Sequence, residues 1–296
     1  MTAHASSSPL TRVRSYASMV ALSHTVFALP FAASAVVLSL GRPHRPLTVA
    51  RALAMLVCMV AARTAAMAFN RWVDRDIDAK NPRTARREVP SGAVPAGGAL
   101  ALTVGSATVF VASASTLGRW PLLLSFPVLA VLLGYSLTKR FTWAAHLVLG
   151  LALALAPGGA WIGMGATPEL GVIALMAGVL TWVGGFDVLY SLQDEAFDRA
   201  HALHSIPSRF GTTGALVISA ALHVMTVACF AATGVLLGRG LPFFAGVTLV
   251  SALLVYEHVI VGKGNLARID KAFFDINGYV SVVFFALTAV DAWRLS

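Results

Sequence analysis

Apolar runs of about twenty residues recur from Tyr16 to the C-terminus, each long enough to cross a hydrocarbon core about 30 Å thick. In lipid every backbone N–H and C=O must find a partner within the protein, so only helices and closed barrels span it. Barrel strands alternate in polarity, and these runs do not. Of the 296 residues 57% are hydrophobic and only 12% are charged, too few charges to cover a soluble domain of this size. The chain reads as an all-α integral membrane protein.

Pro, Gly and charge clusters divide the apolar sequence into nine expected spans: 16–40, 47–69, 99–117, 121–137, 145–165, 170–191, 213–237, 242–262 and 272–293. Residues 1–15 are then a short tail, and 16–296 form one transmembrane domain around a central cavity. The first run follows Arg12 and Arg14 and precedes Ala33-Ser34-Ala35, as in a secretory signal. Its length and Pro30 instead mark a retained span.

Nine spans put the N-terminus on the same side as the loops after spans 2, 4, 6 and 8. That side carries Arg12, Arg14, the six bases from Arg71 to Arg87, Lys139, Arg140, Arg199, Arg209, Lys263, Arg268 and Lys271. The opposite side carries only Arg42, Arg45, Arg119, Arg239 and Arg294. Lys and Arg collect on the cytoplasmic side, so the N-terminus is expected in the cytoplasm, in a membrane of the bacterial inner type. The net charge of +9 is read as this topological bias, with no nucleic-acid partner. Cys58 and Cys229 lie inside apolar runs without the spacing of a metal or redox motif.

Against this apolar background stands "FNRWVDRDIDAKNPRTARREVPSG", residues 69 to 92. Asn70, Asp74 and Asp78 are spaced by four, so a helix leaving span 2 turns them only about 40° per step and keeps them on one face. Arg63 returns to that face one or two turns deeper. After span 6, "FDVLYSLQDEAFDRAHALHSIP" sets Asp187, Ser191, Asp194 and Asp198 on a helical strip about 60° wide. Carboxylates at helical spacing repel and raise one another's pKa unless a cation joins them. Mg²⁺ is a hard ion suited to carboxylates and phosphate oxygens, and neither cluster offers the Cys or His set that zinc uses. Spacing alone leaves two chemistries open: a metal–diphosphate site, or an ion or proton site of a secondary transporter. "YSLTKRFT" adds Tyr135, Lys139 and Arg140 at the same side, where positive charge could stabilise a departing diphosphate. Asp76 and Glu195 fall off the aligned faces and read as solvated loop charges.

With these residues in place, the chain resembles the UbiA superfamily of intramembrane aromatic prenyltransferases along nearly its whole length. Asn70, Asp74 and Asp78 match its first Asp-rich motif. Asp194 and Asp198 match its second, with Asp187 at an earlier acidic position. Tyr135 and Lys139 match its Tyr-x-x-x-Lys element, followed by Arg140, and Arg63 matches an Arg before the first motif. "SHTVFALPFA" looks like the family's opening segment. "NPRTARREVPSG", "YSLQDEAFDR" and "YEHVIVG" look closest to the branch that prenylates 4-hydroxybenzoate, or a dihydroxynaphthoate in the futalosine route to menaquinone. Two positions depart from the pattern: Arg71 replaces a second acid of motif one, and Ala202 replaces a Gly before Leu-His-Ser.

The resemblance implies nine helices around a cavity capped by the two motif loops. It implies Mg²⁺ held by Asn70, Asp74, Asp78, Asp194 and Asp198, with Asp74, Asp194, Lys139 and Arg140 as the catalytic set. Arg63, Asn70, Tyr135, Asp187, Ser191, Lys139 and Arg140 would bind a polyprenyl diphosphate and an aromatic acid. A haem-type acceptor is the alternative within the superfamily.

Other polar residues carry blander expectations. His24 is either functional or packed by hydrogen bonds, His146 reads as interfacial, and His201 and His204 read as solvated. Glu257, inside span 8, must face the bundle, and Asp275 and Asn277 are placed to cap span 9. "GLALALAPGGAWIGMG" points to close helix packing.

Overall fold

The computed structural model describes residues 9–20, 25–262 and 275–295. Twelve α-helices are described: α1 (Pro9–Val20), α2 (Thr25–Ser39), α3 (Val49–Val73), α4 (Arg75–Asp78), α5 (Ala96–Leu117), α6 (Arg119–Thr138), α7 (Ala145–Gly163), α8 (Leu170–Tyr190), α9 (Glu195–Ala200), α10 (Ile206–Leu236), α11 (Leu241–Val261) and α12 (Asn277–Leu295). A 3-10 turn, Ser191–Asp194, joins α8 to α9. Among the described residues, seven helices are long and apolar enough to cross a membrane, and the apolar stretch Phe27–Ser39 of α2 is shorter. α1 begins at Pro9, inside the segment expected to be a tail. His24 lies outside the described residues.

Local signals set the helix ends. Thr48 caps α3 by accepting the Arg51 N–H. Ser205 and Ser208 form a reciprocal capping box at the start of α10, with Pro207 in its first turn, where the missing N–H costs nothing. Gly118 alone separates α5 from α6, at φ 135°, a region that a side chain disfavours.

α2, α7, α8, α10, α11 and α12 follow one another around a closed ring of neighbours, while α3, α5 and α6 pack together and join it through α7. The ring is filled by aromatics. Phe31 of α2 lies 5.0 Å from Trp182 and 5.5 Å from Phe230, and Phe230 lies 4.5 Å from Phe284, ring centre to ring centre. Such offset and tilted pairs add to burial. Outward positions carry exposed apolar residues, among them Val49, Leu53, Val104, Trp120 and Phe126, as lipid requires.

The Gly- and Ala-rich run forms α7, and its small residues let α8 approach. A Cβ on Gly150 would stand 2.2 Å from the Leu180 carbonyl oxygen. Small residues at helix crossings are how backbones close on one another in membranes.

At the end of the bundle away from the acidic motifs, cations are bound into the fold. Arg42 pairs with Glu169 at 2.8 Å, and Arg45 donates to the Leu117 carbonyl at 3.1 Å. Arg51 donates to the Gly163 carbonyl at 2.9 Å. Leu117 and Gly163 end α5 and α7, and terminal carbonyls favour positive charge.

Asn277 does not cap α12 with its side chain. Its Oδ1 accepts from Trp182 Nε1 at 2.8 Å, and its Nδ2 donates to Glu257 Oε1 at 2.7 Å. The Glu257 partner is therefore one helix away, on α12, and His223 lies 3.9 Å from the second carboxylate oxygen. This fully buried chain links α8, α11 and α12. Asn277→Leu strands both groups, and buried polar groups left unpaired cost about 1–3 kcal/mol each. The expected result is a melting temperature several degrees below wild type in detergent. An unchanged value would mean that the chain contributes nothing to stability.

Candidate active site

Four helix ends and one loop meet where the acidic motifs lie. α3 buries Ala61, Ala65, Ala66 and Ala68 and delivers Asn70 and Asp74 at its exit. The helical path bends at Asp74 and continues into α4, with the Asp74 N–H bonded to Asn70 O and the Asp78 N–H to Asp74 O. The four-residue spacing therefore survives the joint. Asn70 Nδ2 donates to Asp74 Oδ2 at 2.8 Å and also reaches Ser136 Oγ at 3.3 Å. Arg71, in place of a second acid, donates to Asn70 Oδ1 at 3.1 Å and faces Glu88 at 3.6 Å. Glu88 in turn accepts from Ser18 of α1.

The second row does not ride one continuous helix. α8 ends at Tyr190, and the 3-10 turn re-aims the chain before α9. Asp187 occupies the last turn of α8, Asp194 closes the 3-10 turn, and Asp198 sits in α9. Asp194 and Asp198 are 5% and 2% exposed, so each carboxylate must be answered within the protein. The Ser191 hydroxyl is turned back on its own helix, donating to Val188 O at 2.8 Å; the strip geometry that offered it to a substrate ends where α8 ends.

The rows are brought together from two directions. From the loop after α4, Asn81 Nδ2 donates to Asp194 Oδ1 at 3.0 Å and Arg83 Nε donates to the same atom at 2.9 Å. From the end of α6, Arg140 meets Asp74 at 3.0 Å while Lys139 faces Asp198 at 3.6 Å. Two consecutive residues thus reach one acid of each motif. Tyr135, one turn earlier on α6, is half-buried and lies near Arg71, Asp187 and Asp74. Arg63, on α3, lies near Tyr135. Beside the site, a cleft of about 310 Å³ is lined by Asp198, Trp143, His204 and Arg209.

Burial pushes the Asp74 carboxyl above the ordinary range; Arg140 opposes the rise and the charge of Asp78 adds to it. Asp198 Oδ2 is buried without a hydrogen-bond partner. An all-oxygen donor set with one buried carboxylate oxygen that takes no hydrogen bond and faces Lys139 Nζ at 3.6 Å suits a hard divalent ion. Among the described residues no three His, Cys, Asp or Glu side chains converge on one point; a base answers each acid instead.

Several contributors escaped the sequence reading. Arg83 and Arg87 read from the sequence as side-determining charges, yet Arg87 Nη1 donates to both oxygens of Asp78 at 2.8 and 2.9 Å. Their four-residue spacing, matching that of the acids, was the available signal. His146 is not interfacial. It is fully buried, with Nδ1 2.7 Å from Asp187 Oδ2 and Nε2 accepting the Ile206 N–H at 3.2 Å. That acceptor role places the ring proton on Nδ1, toward Asp187. His201 stacks on Phe197 and bonds Phe197 O at 3.0 Å, a local contact. Asp76 is solvated and pairs with Arg75, whereas Glu195 is only 19% exposed in α9, pairing with Arg199 and accepting from the Thr212 hydroxyl at 2.9 Å.

The comparisons with known proteins converge on one group. A family model described as the UbiA prenyltransferase family matches residues 28–286. The 4-hydroxybenzoate octaprenyltransferase of Pseudoalteromonas translucida (strain TAC 125) is 30% identical over 228 residues, 77% of each chain. That of Aromatoleum aromaticum is 29% identical over 236 residues, 78% of each. The apo structure of a UbiA homolog from Aeropyrum pernix K1 superposes with a TM-score of 0.82 at 36% identity, over 90% of this chain and 98% of that one. A UbiA homolog from Archaeoglobus fulgidus, solved bound to GPP and Mg²⁺, shares the fold with a TM-score of 0.69 at 18% identity, over 94% and 99% of the two chains.

Proposed function

This chain belongs to the UbiA prenyltransferase family and is a polyprenyltransferase, and we propose that it joins a polyprenyl group to a ring carbon of a hydroxylated aromatic acid. The acceptor is 4-hydroxybenzoate or 1,4-dihydroxy-6-naphthoate, in ubiquinone or menaquinone biosynthesis, and the cofactor is Mg²⁺. The observation that carries this reading is the closure of two acid rows on one another, through Asn81 and Arg83 to Asp194 and through Lys139-Arg140 to Asp198 and Asp74. The names of the 4-hydroxybenzoate octaprenyltransferases and the Mg²⁺-bound homolog support it.

In this reading Asn70, Asp74, Asp78, Asp194 and Asp198 would hold Mg²⁺, which would supply positive charge to the diphosphate leaving group. Lys139 and Arg140 add donors on the same leaving group, worth most in a site with little water. Tyr135 presents its ring to the allylic cation that develops. Arg63, beside it, holds the acceptor carboxylate so that an electron-rich ring carbon meets that cation, with Asp187 lining the same pocket. The prenyl tail lies along the apolar bundle. The topology proposed with it has nine spans and a cytoplasmic N-terminus, with the site opening to the cytoplasm from an inner membrane. Acids at helix ends fit a substrate with a polar head at the membrane surface better than a transporter site near the midplane.

The test is one panel: both aromatic acids offered to the purified chain with a single long-chain diphosphate, products identified by mass, with and without EDTA. Transfer to one acid, falling to background in EDTA and returning with Mg²⁺, is expected. Undiminished transfer in EDTA would remove the metal from the reading, and prenylation of neither acid would remove the acceptor class.

A further inference from the structure

Asp194 is the most fully answered carboxylate in the site. Arg83 meets it with two nitrogens, Nε on Oδ1 at 2.9 Å and Nη2 on Oδ2, and Asn81 adds a third donor at 3.0 Å. The rest of the Arg83 guanidinium lies over the Tyr190 ring at 5.2 Å, with Nη1 donating to the Tyr190 hydroxyl at 3.1 Å. Around it the charges match one to one: Arg140 on Asp74, Arg87 on Asp78, Arg83 on Asp194 and Lys139 on Asp198. Without such partners, two rows of acid this close would repel.

Of the four pairs, Arg83–Asp194 ties the loop after motif one directly to motif two, residues 111 apart in the chain. The Arg87 pair stays within its own loop, and the Lys139 pair is longer, at 3.6 Å. Arg83 is loop-borne and its side chain is 29% exposed, so it can leave Asp194 by a local movement. A guanidinium fits phosphate oxygens by the same two-pronged geometry that it uses on a carboxylate.

Resting on the metal reading above, we propose that Arg83 is the resident counter-ion of Asp194: it locks the two motifs together when no metal is bound, yields Asp194 to the metal, and turns to the diphosphate. Each group exchanges one partner of opposite charge for another, so the site is neutralised in both states. Arg83 then acts as a competitor of the bare ion and as a ligand of the metal–diphosphate complex. A purely structural brace would be neither.

The experiment uses the full chain in detergent and measures binding of Mn²⁺ alone, by the EPR signal of the free ion, and of preformed manganese diphosphate. Arg83→Gln is expected to bind Mn²⁺ roughly tenfold tighter than wild type, since one charge-assisted pair no longer has to be broken. The same variant is expected to bind manganese diphosphate roughly tenfold more weakly, having lost a charged donor. Arg83→Lys keeps the charge but not the paired geometry, and should show both changes with the same signs and smaller size. It answers the question if the Gln variant does not fold. The metal-free Gln variant should melt below wild type, and Mn²⁺ should raise its melting temperature by more. Equal or weaker Mn²⁺ binding in the variants, or loss of both probes together, overturns the proposal. A wild-type chain that binds neither probe overturns the metal reading as well; one that binds both while the variants match it overturns this inference alone.

Discussion

Asp194→Ala will lower prenyl transfer by roughly a thousandfold or more, because a metal-held charge at a departing diphosphate is worth several kcal/mol, and about 4 kcal/mol corresponds to that factor. The position is 5% exposed and receives three donors from the motif-one loop. Truncating it removes both the proposed metal ligand and the carboxylate that joins the loop to the 3-10 turn. The freed Arg83 has an exposed edge through which to reach water, and the substitution lies outside the aromatic core, so the chain should still insert at wild-type yield. Asp194→Asn keeps the shape and loses the charge, and should fall nearly as far. Turnover with a single diphosphate and the preferred acid measures both. Activity of Asp194→Ala within tenfold of wild type would end the assignment of this residue to the metal.

The largest loss of stability is expected from Gly150→Val. The first carbon of any side chain there would meet Leu180 O at 2.2 Å, Leu180 C at 3.0 Å and Gly184 N at 3.3 Å. All three are backbone atoms, which cannot swing aside as a side chain can. The helices must separate, and overpacking of this kind costs about 1–3 kcal/mol or more. For a chain of this size, about 3 kcal/mol lowers the melting temperature by roughly 6–12 °C. The separation also reaches the site, since His146 lies one turn before Gly150, and Asp187, its partner at 2.7 Å, lies one turn after Gly184. Gly159→Ala is the control: nothing stands within 4 Å of a Cβ there, so its melting temperature should stay close to wild type. Equal melting of Gly150→Val and wild type would show that α7 and α8 do not approach as described.

Much of this was written locally. Runs of some twenty apolar residues demand helices in lipid whatever their neighbours, and seven long membrane-type helices follow among the described residues. The spacing of Asn70, Asp74 and Asp78 survives because the bend at Asp74 keeps the hydrogen bonds on either side of it. The strip from Asp187 to Asp198 does not survive as drawn, because a 3-10 turn re-aims it; nothing in "YSLQDEAFD" announces that change of period. Gly150 announced itself only as one of several small residues, since composition indicates that a helix can be approached without saying where.

Helicity, membrane insertion and the helical spacing of motif one depend on hydrophobicity and on the 3.6-residue period, both properties of neighbouring residues, so the chain alone determined them. The partner of each charge was another matter. Arg83 reaches Asp194, Lys139 reaches Asp198, His146 reaches Asp187 and Asn277 reaches Glu257 across gaps of 20 to 113 residues in this group of contacts and its neighbour Asn81–Asp194. A charge in a list can be paired with any opposite charge. Only the packing of α6, α7, α8, α9, α11 and α12, with the loop after α4, brings one within 4 Å, and the dependence of Coulomb energy on distance and burial then selects it.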